Sequence, residues 1–274
     1  LFVSKQNLAG EFEWIITFGG SNFDQGTCLV QASDSTFIVG ANIESNDGDV
    51  EMSYGARDIM LLKVNLDGEI LWQKIYGGTS FEQVTSIIQD YDGGFVFCGE
   101  TYSNDIDVDF NHATATPDFW VVKLDSLGNL IWENCFGNYN DDRANKVIQL
   151  IDSSYMVVGN ILDYGGDVST HYGGSDWWVL HISTEGELIW EKTYGGSGLD
   201  ICQSILDWGN GKYILSGETY SVDFDIPDLI GVSDAWLIMI DSLGNIIWNK
   251  TYGGSDGENL GNIKKLSKSA FVTT

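Results

Sequence analysis

Short apolar runs separated by polar turns recur along the whole chain. One strand is predicted for residues 118–125, DFWVVKLD, because they are β-branched or aromatic and include no proline. The turn SLGN follows, in which Gly128 can adopt a positive φ, and a second strand is predicted for NLIWENCFG. A third and a fourth strand are predicted for ANKVIQLI and SSYMVVGN. No segment shows helical periodicity.

This pattern returns about every 58 residues. One tryptophan-containing phrase occurs five times, at intervals of 58, 60, 58 and 58 residues, at Trp14, Trp72, Trp132, Trp190 and Trp248. Such a period indicates one supersecondary unit stacked on itself. Four short strands per repeat predict an all-β fold, a five-bladed β-propeller with four antiparallel strands per blade. A β-helix would need a shorter period, and a β-sandwich has no reason to repeat its sequence five times.

Residues 1–274 are predicted to form a single propeller domain. The chain begins at the third strand of one repeat and stops in the second strand of another. We therefore expect the N-terminal strands around Val3 and Trp14 to join the C-terminal strands around Ile263 and Phe271 in one composite blade. Such a closure would leave no open sheet edge between the first and the last blade.

The charge of the chain narrows the classes of partner. Thirteen basic and 40 acidic residues give a formal net charge of −27. This balance argues against nucleic acid, whose phosphates are met by Lys and Arg, and against anionic membranes. The chain contains no run of 18 apolar residues, so no membrane span is predicted.

The four cysteines show no C-x-x-C spacing, and we interpret them as small core residues rather than as a zinc site or a disulfide framework: Cys28, Cys98, Cys135 and Cys202.

The phrase around each tryptophan has the form D-x-x-G-x-x-x-W. It is complete twice, as Asp125–Gly128–Trp132 and as Asp241–Gly244–Trp248. Locally it resembles the tryptophan-docking repeats of quinoprotein-type propellers, in which the tryptophan of one blade packs against its neighbour. The period here is longer than in that family, and no residue pattern indicates a quinone site.

The whole repeat resembles the roughly sixty-residue propeller repeats of secreted Bacteroidota surface proteins. Residues 176–197 and 234–255 carry its pattern of D-x-W, D-S-x-G, W-x-K and Y-G-G-S best, and residues 91–95 show its D-G-G turn. The first repeat departs most, since LFVSKQNLAG lacks the D-S-x-G core. The resemblance implies an extracellular binding or scaffolding role, often within large proteins exported by the type IX pathway.

An acidic residue lies ten residues after each repeat tryptophan: Asp24, Glu82, Asp142, Asp200 and Glu258. On the innermost strand of each blade, these five carboxylates would ring one mouth of the central channel, where they would need hydrogen bonds or a shared cation. In the alternative interpretation, each carboxylate caps its own glycine-rich turn through backbone N–H groups.

Three of the long loops share a D-x-D-[VI] motif, and the fourth has the reduced copy G-G-D-V at residues 165–168. Another acid opens the strand that follows each loop. Alternating acids in an irregular loop suit Ca²⁺, which takes six to eight oxygen ligands. Calcium is thus the candidate cofactor, with these candidate ligands: Asp47, Asp49, Asp58, Asp105, Asp107, Asp118, Asp223, Asp225 and Asp234. Ordinary turn chemistry is the competing interpretation.

Signals for catalysis are few. Three histidines do not supply a recurring metal cluster, no G-x-S-x-G motif occurs, and we expect His181, in the middle of a strand, to be structural. A glycosidase needs two carboxylates in unequal environments, whereas the acids here are nearly equivalent between repeats.

We therefore predict a non-catalytic extracellular binding, adhesion or scaffold module within a larger secreted or cell-surface protein. Its ligand, a protein or a glycan, would contact the variable loops 43–57, 102–117, 162–175 and 220–233. Their candidate contact residues are Tyr54, Phe110, Tyr164, Tyr172 and Phe224. One alternative is a multivalent lectin with one site per blade. Another is a glycoside hydrolase with a central carboxylate pocket that includes Asp142 or Asp200.

Overall fold

The computed structural model describes all residues from 1 to 274, which form twenty β-strands and no helix. Four sheets each contain four consecutive strands in sequence order. Sheet I consists of β3 (Asp24–Gln31), β4 (Phe37–Ile43), β5 (Asp58–Val64) and β6 (Ile70–Tyr76). Sheet II consists of β7 (Glu82–Gln89), β8 (Phe95–Thr101), β9 (Asp118–Leu124) and β10 (Leu130–Phe136).

Sheet III consists of β11 (Arg143–Gln149), β12 (Tyr155–Ile161), β13 (Asp176–Ile182) and β14 (Leu188–Tyr194). Sheet IV consists of β15 (Asp200–Asp207), β16 (Lys212–Thr219), β17 (Asp234–Asp241) and β18 (Ile246–Tyr252). At the ends of the chain, β1 (Phe2–Gln6) pairs with β2 (Phe12–Thr17), and β19 (Ile263–Ser267) pairs with β20 (Ala270–Thr273), as two-stranded sheets. The predicted all-β fold with repeated four-stranded antiparallel sheets is confirmed, and it is consistent with a propeller-like architecture.

The chain divides into two compact units. Unit 1 contains residues Leu1–Ala115 and Trp120–Cys135, and unit 2 contains residues Thr116–Phe119 and Phe136–Thr274. Sheets I and II correspond to sheets III and IV: equivalent residues are 118 positions apart from Trp14 to the end of β8, as Trp14 and Trp132 are, and 116 positions apart from Asp118 onwards, as Trp132 and Trp248 are. This correspondence allows each part of unit 1 to be compared with its counterpart in unit 2.

The burial of the strands follows their order within a sheet. The first strands of successive sheets lie against each other, β3 against β7 in unit 1 and β11 against β15 in unit 2. The second and third strands are buried almost throughout, which explains their continuous apolar runs. The fourth strands begin with exposed residues, as in β6 and β14. The first strand is therefore the inner one, and the fourth is the outer one.

Apolar and aromatic side chains fill the space between successive sheets of a unit. In unit 1, the rings of Tyr76 from sheet I and Phe97 from sheet II have centroids 5.7 Å apart. In unit 2, the rings of Trp177 and Trp236 lie 4.2 Å apart. The cysteine side chains belong to these packed regions: Cys98 and Cys202 are buried, Cys28 and Cys135 are partly buried, and no disulfide joins them.

Two of the repeat tryptophans, one in each unit, dock on the next repeat of their unit. Trp14 Nε1 donates to Leu66 O at 2.8 Å in unit 1, and Trp190 Nε1 donates to Ser242 O at 3.2 Å in unit 2. Gly68 and Gly244 lie directly beneath these indoles, where a Cβ would contact the ring. The glycine of the D-x-x-G-x-x-x-W phrase therefore makes room for the tryptophan of the preceding repeat.

Candidate binding surface

The acid that lies ten residues after each repeat tryptophan accepts a backbone hydrogen bond from the turn before it. Glu82 Oε2 accepts the N–H of Gly78 at 2.9 Å, and Asp200 Oδ2 accepts the N–H of Gly196 at 2.7 Å. The same contact joins Asp24 to Gly20, Asp142 to Asn138 and Glu258 to Gly254. These hydrogen bonds agree with the interpretation of the five residues as turn caps. They do not support a ring of carboxylates without hydrogen bonds at a channel mouth.

The D-x-D motif of each long loop binds the same glycine turn. In unit 1, Asp105 Oδ1 accepts the N–H of Thr79 at 2.8 Å, and Asp107 Oδ2 accepts that of Gly77 at 3.2 Å. Equivalent contacts join Asp47 to Ser21, Asp49 to Gly19, Asp223 to Ser197 and Asp225 to Gly195. The apolar residue after the motif is buried in every copy: Val50, Val108, Val168 and Ile226. The motif thus fastens the start of the loop.

The acid that opens the third strand fastens the end of the loop. Asp58 Oδ2 accepts the N–H of Tyr54 at 2.7 Å, and Asp176 Oδ2 accepts that of Tyr172 at 2.6 Å. Asp234 makes the same contact with Ile230. The four residues of this type have no exposed surface: Asp58, Asp118, Asp176 and Asp234. Carboxylates therefore hold both ends of the long loops, buried ones at the end and more exposed ones at the start, and the residues between them are left to vary.

Two buried carboxylates converge on the first glycine of the turn. A Cβ on Gly77 would collide with Asp58 Oδ1 and would lie 2.7 Å from Glu82 Oε2. In unit 2, a Cβ on Gly195 would collide with Asp176 Oδ1 and would lie 2.8 Å from Asp200 Oδ2. The Oδ1 atoms of Asp58 and Asp176 have no hydrogen-bond partner. Only glycine therefore fits between the two acids.

Burial shifts the protonation of these carboxylates. Desolvation raises the pKa of Asp58 to about 6 and that of Asp176 to about 7. Backbone N–H groups from the loop oppose the shift, and the charges of Glu82 and Asp200 reinforce it. Asp142 behaves alike, since desolvation raises its pKa to about 8. These acids are therefore partly protonated near neutral pH.

The acid-rich loops show no arrangement that would hold a metal. No group of three or more His, Cys, Asp or Glu residues is placed so as to bind an ion. The candidate calcium ligands of the loops instead accept backbone N–H groups, as Asp105 and Asp223 do. The calcium site gains no support from this geometry and stays a prediction.

A serine, a histidine and an aspartate meet near the turn that joins β11 and β12. Ser154 Oγ lies 2.8 Å from His181 Nε2, and it donates to Asp152 Oδ1 at 2.5 Å. The acid therefore binds the hydroxyl rather than the imidazole, unlike the order in a catalytic triad. In unit 1 the same positions hold Asp34, Thr36 and Lys63, and there Asp34 accepts hydrogen bonds from both Thr36 and Lys63. The three side chains therefore stabilise the turn through hydrogen bonds, and one of them is a histidine.

The five candidate aromatic residues differ in exposure. Phe110, Tyr164 and Phe224 are exposed, whereas Tyr54 and Tyr172 are partly buried. Tyr172 and Phe224, from successive loops of unit 2, have ring centroids 5.0 Å apart, and this pair is the one ring contact among the five. Phe110 instead packs edge to face on His112, at 4.9 Å. The structure thus brings two of the five together and leaves Phe110 and Tyr164 in separate loops.

The tips of two loops carry apolar residues in a strained backbone conformation. The middle residue of the D-x-D motif has a positive φ in all four copies, and in two of them it is glycine, Gly48 and Gly166. The others are Ile106, with φ 63° and 53% exposed, and Phe224, with φ 53° and 67% exposed. A left-handed conformation costs an L-residue about 1–2 kcal/mol, and a β-branched residue is rare there. Sequence reasoning missed Ile106, although the glycine in N-D-G-D-V was a signal for it.

Two solved structures resemble the chain over most of its length. A crystal structure of a protein of unknown function from Bacteroides caccae has 12% identity and a TM-score of 0.49, covering 91% of this chain and 74% of that chain. A crystal structure of a eukaryotic initiation factor has 9% identity and a TM-score of 0.36, covering 90% of this chain and 58% of that chain. Because both TM-scores are low, no conclusion about function is drawn from them. No protein-family model and no curated protein matches the chain.

The structure contains no helix with the length and apolar character needed to cross a bilayer.

Proposed function

We propose that the chain is a non-catalytic extracellular binding or adhesion module within a larger secreted or cell-surface protein. In this proposal the repeated sheets are blades of a five-bladed β-propeller, and the N- and C-terminal strands complete one blade. The ligand, a protein or a glycan, contacts the variable loops. The resemblance of the repeat to those of secreted surface proteins supports an extracellular location.

One observation carries this proposal: Ile106 and Phe224 present large apolar side chains to solvent from a backbone conformation that favours glycine. Glycine stands at the same repeat position in Gly48 and Gly166, so the scaffold does not require a side chain there. Strained residues of this kind persist where function uses them. The recurring acids are bound to turns, which leaves these tips as the best supported contact residues.

The test replaces both tips by glycine, in Ile106→Gly/Phe224→Gly. Fluorescently labelled wild type and variant are applied to a glycan array and to an array of extracellular-matrix proteins. We expect the wild type to bind a defined set of spots and the variant to lose them. We also expect its melting temperature to be unchanged or raised, since glycine relieves the strain. The control is Leu127→Ser, which removes an equally exposed apolar residue from the turn between β9 and β10.

The pattern of spots separates the classes of ligand. Binding to matrix proteins supports an adhesion module, whereas binding to glycans alone identifies a lectin. Equal binding by the wild type and the glycine variant, or no binding by the wild type on either array, contradicts the proposal.

A further inference from the structure

A cleft in unit 2 has a filled counterpart in unit 1. The cleft has a volume of about 280 Å³ and is lined by Asp141, Arg143, Asn160, Leu162, Ser175, Leu199 and Ile201. The residues 118 positions earlier are Phe23, Gln25, Asn42, Glu44, Arg57, Phe81 and Gln83. Each lining residue therefore has a counterpart at the same repeat position, and none of them belongs to the loop tips described above.

In unit 1, the side chain of Arg57 contacts three of these counterparts. Its Nε donates to Glu44 Oε1 at 3.0 Å, and its Nη1 donates to Gln83 Oε1 at 3.4 Å. Its Cζ lies 4.2 Å from the centroid of the Phe81 ring, a cation–π geometry. The side chain is only 18% exposed. The chain itself thus shows that this repeat position admits one long side chain with a planar cationic end.

In unit 2, all four members of that network are replaced together. Ser175, Leu162, Leu199 and Ile201 stand where Arg57, Glu44, Phe81 and Gln83 stand in unit 1. The replacement removes the arginine together with the carboxylate, the amide and the ring that hold it. Leu162 and Leu199 remain 43% and 40% exposed. An open cleft with three aliphatic walls is the result.

The polar residues of the cleft suit a peptide backbone. Asn160 Oδ1 accepts the N–H of Cys202 at 2.7 Å, and its Nδ2 makes no hydrogen bond within the chain. At the surface, Arg143 Nη2 lies 3.1 Å from Asp141 Oδ2. An amide donor, a carboxylate and a guanidinium are partners for the C=O and N–H groups of an extended segment. A sugar, by contrast, would find neither an aromatic face nor a set of convergent polar groups here.

We propose that this cleft binds an uncharged aliphatic side chain, of the leucine or isoleucine kind, presented by an extended segment of a partner polypeptide. The side chain enters where Arg57 lies in unit 1, and the walls of Leu162, Leu199 and Ile201 select an aliphatic group over a cation. The backbone of the segment lies along the polar rim. A single residue binds weakly, roughly in the millimolar range, because it buries so little surface.

The test uses methyl-labelled full chain and three small probes. The probes are N-acetyl-leucine-N′-methylamide and its arginine and glycine analogues, which share one backbone and differ in the side chain. Methyl resonances of Leu162, Leu199 and Ile201 are followed by NMR. We expect saturable shifts with the leucine probe and at least about tenfold weaker binding of the other two. Equal shifts with the glycine or arginine probe, or no shift at these methyl groups, would overturn the proposal.

Variants locate the site. Ser175→Arg places in the cleft the side chain that fills it in unit 1, and we expect it to abolish the shifts, whereas Ser175→Ala leaves the cleft open and keeps them. Should Ser175→Arg fail to fold, Leu199→Ser removes an exposed wall and should weaken leucine binding at least about tenfold.

In the reverse experiment, Arg57→Ser opens the unit 1 cleft, and this variant should bind the arginine probe. Leucine binding unaffected by both Ser175→Arg and Leu199→Ser would refute the assignment.

Discussion

In unit 1 the guanidinium of Arg57 is held between Glu44 and the ring of Phe81, whereas in unit 2 Ser175 and Leu199 leave the same space open. The turns and loops around the two clefts, which we call the common frame, are held in the same way. In both units buried carboxylates hold the glycine turn and the long loop through backbone N–H groups. Side chains that bind the backbone of a repeated turn recur, because that backbone recurs. The side chains of Arg57, Glu44, Phe81 and Gln83 contact one another, so they change as a set.

The largest effect is expected where the two units agree. Gly77→Ala and Gly195→Ala would each push a Cβ into two buried carboxylates, at least one of which has an oxygen atom without a hydrogen bond. We expect each substitution to lower the free energy of unfolding by about 3 kcal/mol, the upper end for overpacking, because neither carboxylate can move without losing its backbone partner. Urea unfolding followed by tryptophan fluorescence measures both losses.

Gly26→Ala is the control for this prediction. Gly26 lies in β3, where a Cβ would meet open space, so we expect a change of less than about 0.5 kcal/mol. If Gly77→Ala and Gly195→Ala differ by more than about 1 kcal/mol, beyond the usual error of additivity, the turns are not equivalent and the common frame is wrong.

A smaller effect is expected where the units differ. Arg57→Ser leaves Glu44 and Gln83 without their shared donor and uncovers Phe81. We expect a loss of about 1–2 kcal/mol, reduced by the partial exposure of Glu44 to water. Thermal unfolding by circular dichroism gives the measurement.

The chain offers a matched control in its second arginine. Arg143 is half exposed and pairs with Asp141 at the surface. Arg143→Ser should therefore cost less than about 0.5 kcal/mol. Equal losses for the two arginines would mean that the Arg57 network does not stabilise unit 1, and the contrast between filled and open clefts would lose its energetic basis.

The parts predictable from sequence are those that recur. The strands, the hairpin turns and the tryptophan phrase all repeat, and the structure has four-stranded sheets with Trp14 and Trp190 docked on the next repeat. Of the two interpretations weighed for the five acids, the one that makes them turn caps agrees with the hydrogen bonds that they accept from the turn. Repetition could show where these residues lie, but not whether they face a channel or their own turn.

The cleft was not predictable in the same way. The residues that form or fill the cleft do not recur between repeats, and Arg57 contacts partners 13, 24 and 26 positions away in the sequence. Only the structure joins these distances into one network. The strained tip at Ile106 was closer to prediction, since an alignment of the four D-x-D motifs places it opposite Gly48 and Gly166.

The last prediction concerns pH and compares the paired acids of the two units. Desolvation raises the folded-state pKa of Asp58 to about 6 and that of Asp176 to about 7, above the unperturbed value of 3.8. A raised folded pKa means that folding favours the protonated acid, so stability falls as pH rises from about 4 to the folded pKa. Desolvation, with the charges of Asp200 and Asp225, raises the pKa of Asp176 further than that of Asp58, so its fall in stability extends to higher pH.

Asp58→Asn and Asp176→Asn remove the titration, and the amide oxygen can still accept the loop N–H. We expect each variant to melt a few degrees higher than the wild type at pH 8, with a smaller difference at pH 5. Asp176→Asn should flatten the profile between pH 6 and 7 more than Asp58→Asn does. The measurement is the melting temperature from pH 5 to 8 in EDTA at constant ionic strength.

Asp34→Asn is the control of opposite sign, because hydrogen bonds from Thr36 and Lys63 lower the pKa of Asp34 to about 2. That acid stabilises the fold at every pH in this window, so its loss should lower the whole profile without changing its slope. Profiles of the two Asn variants that run parallel to the wild type would show that the buried acids stay charged in the folded state, and the account of the paired carboxylates would then be wrong.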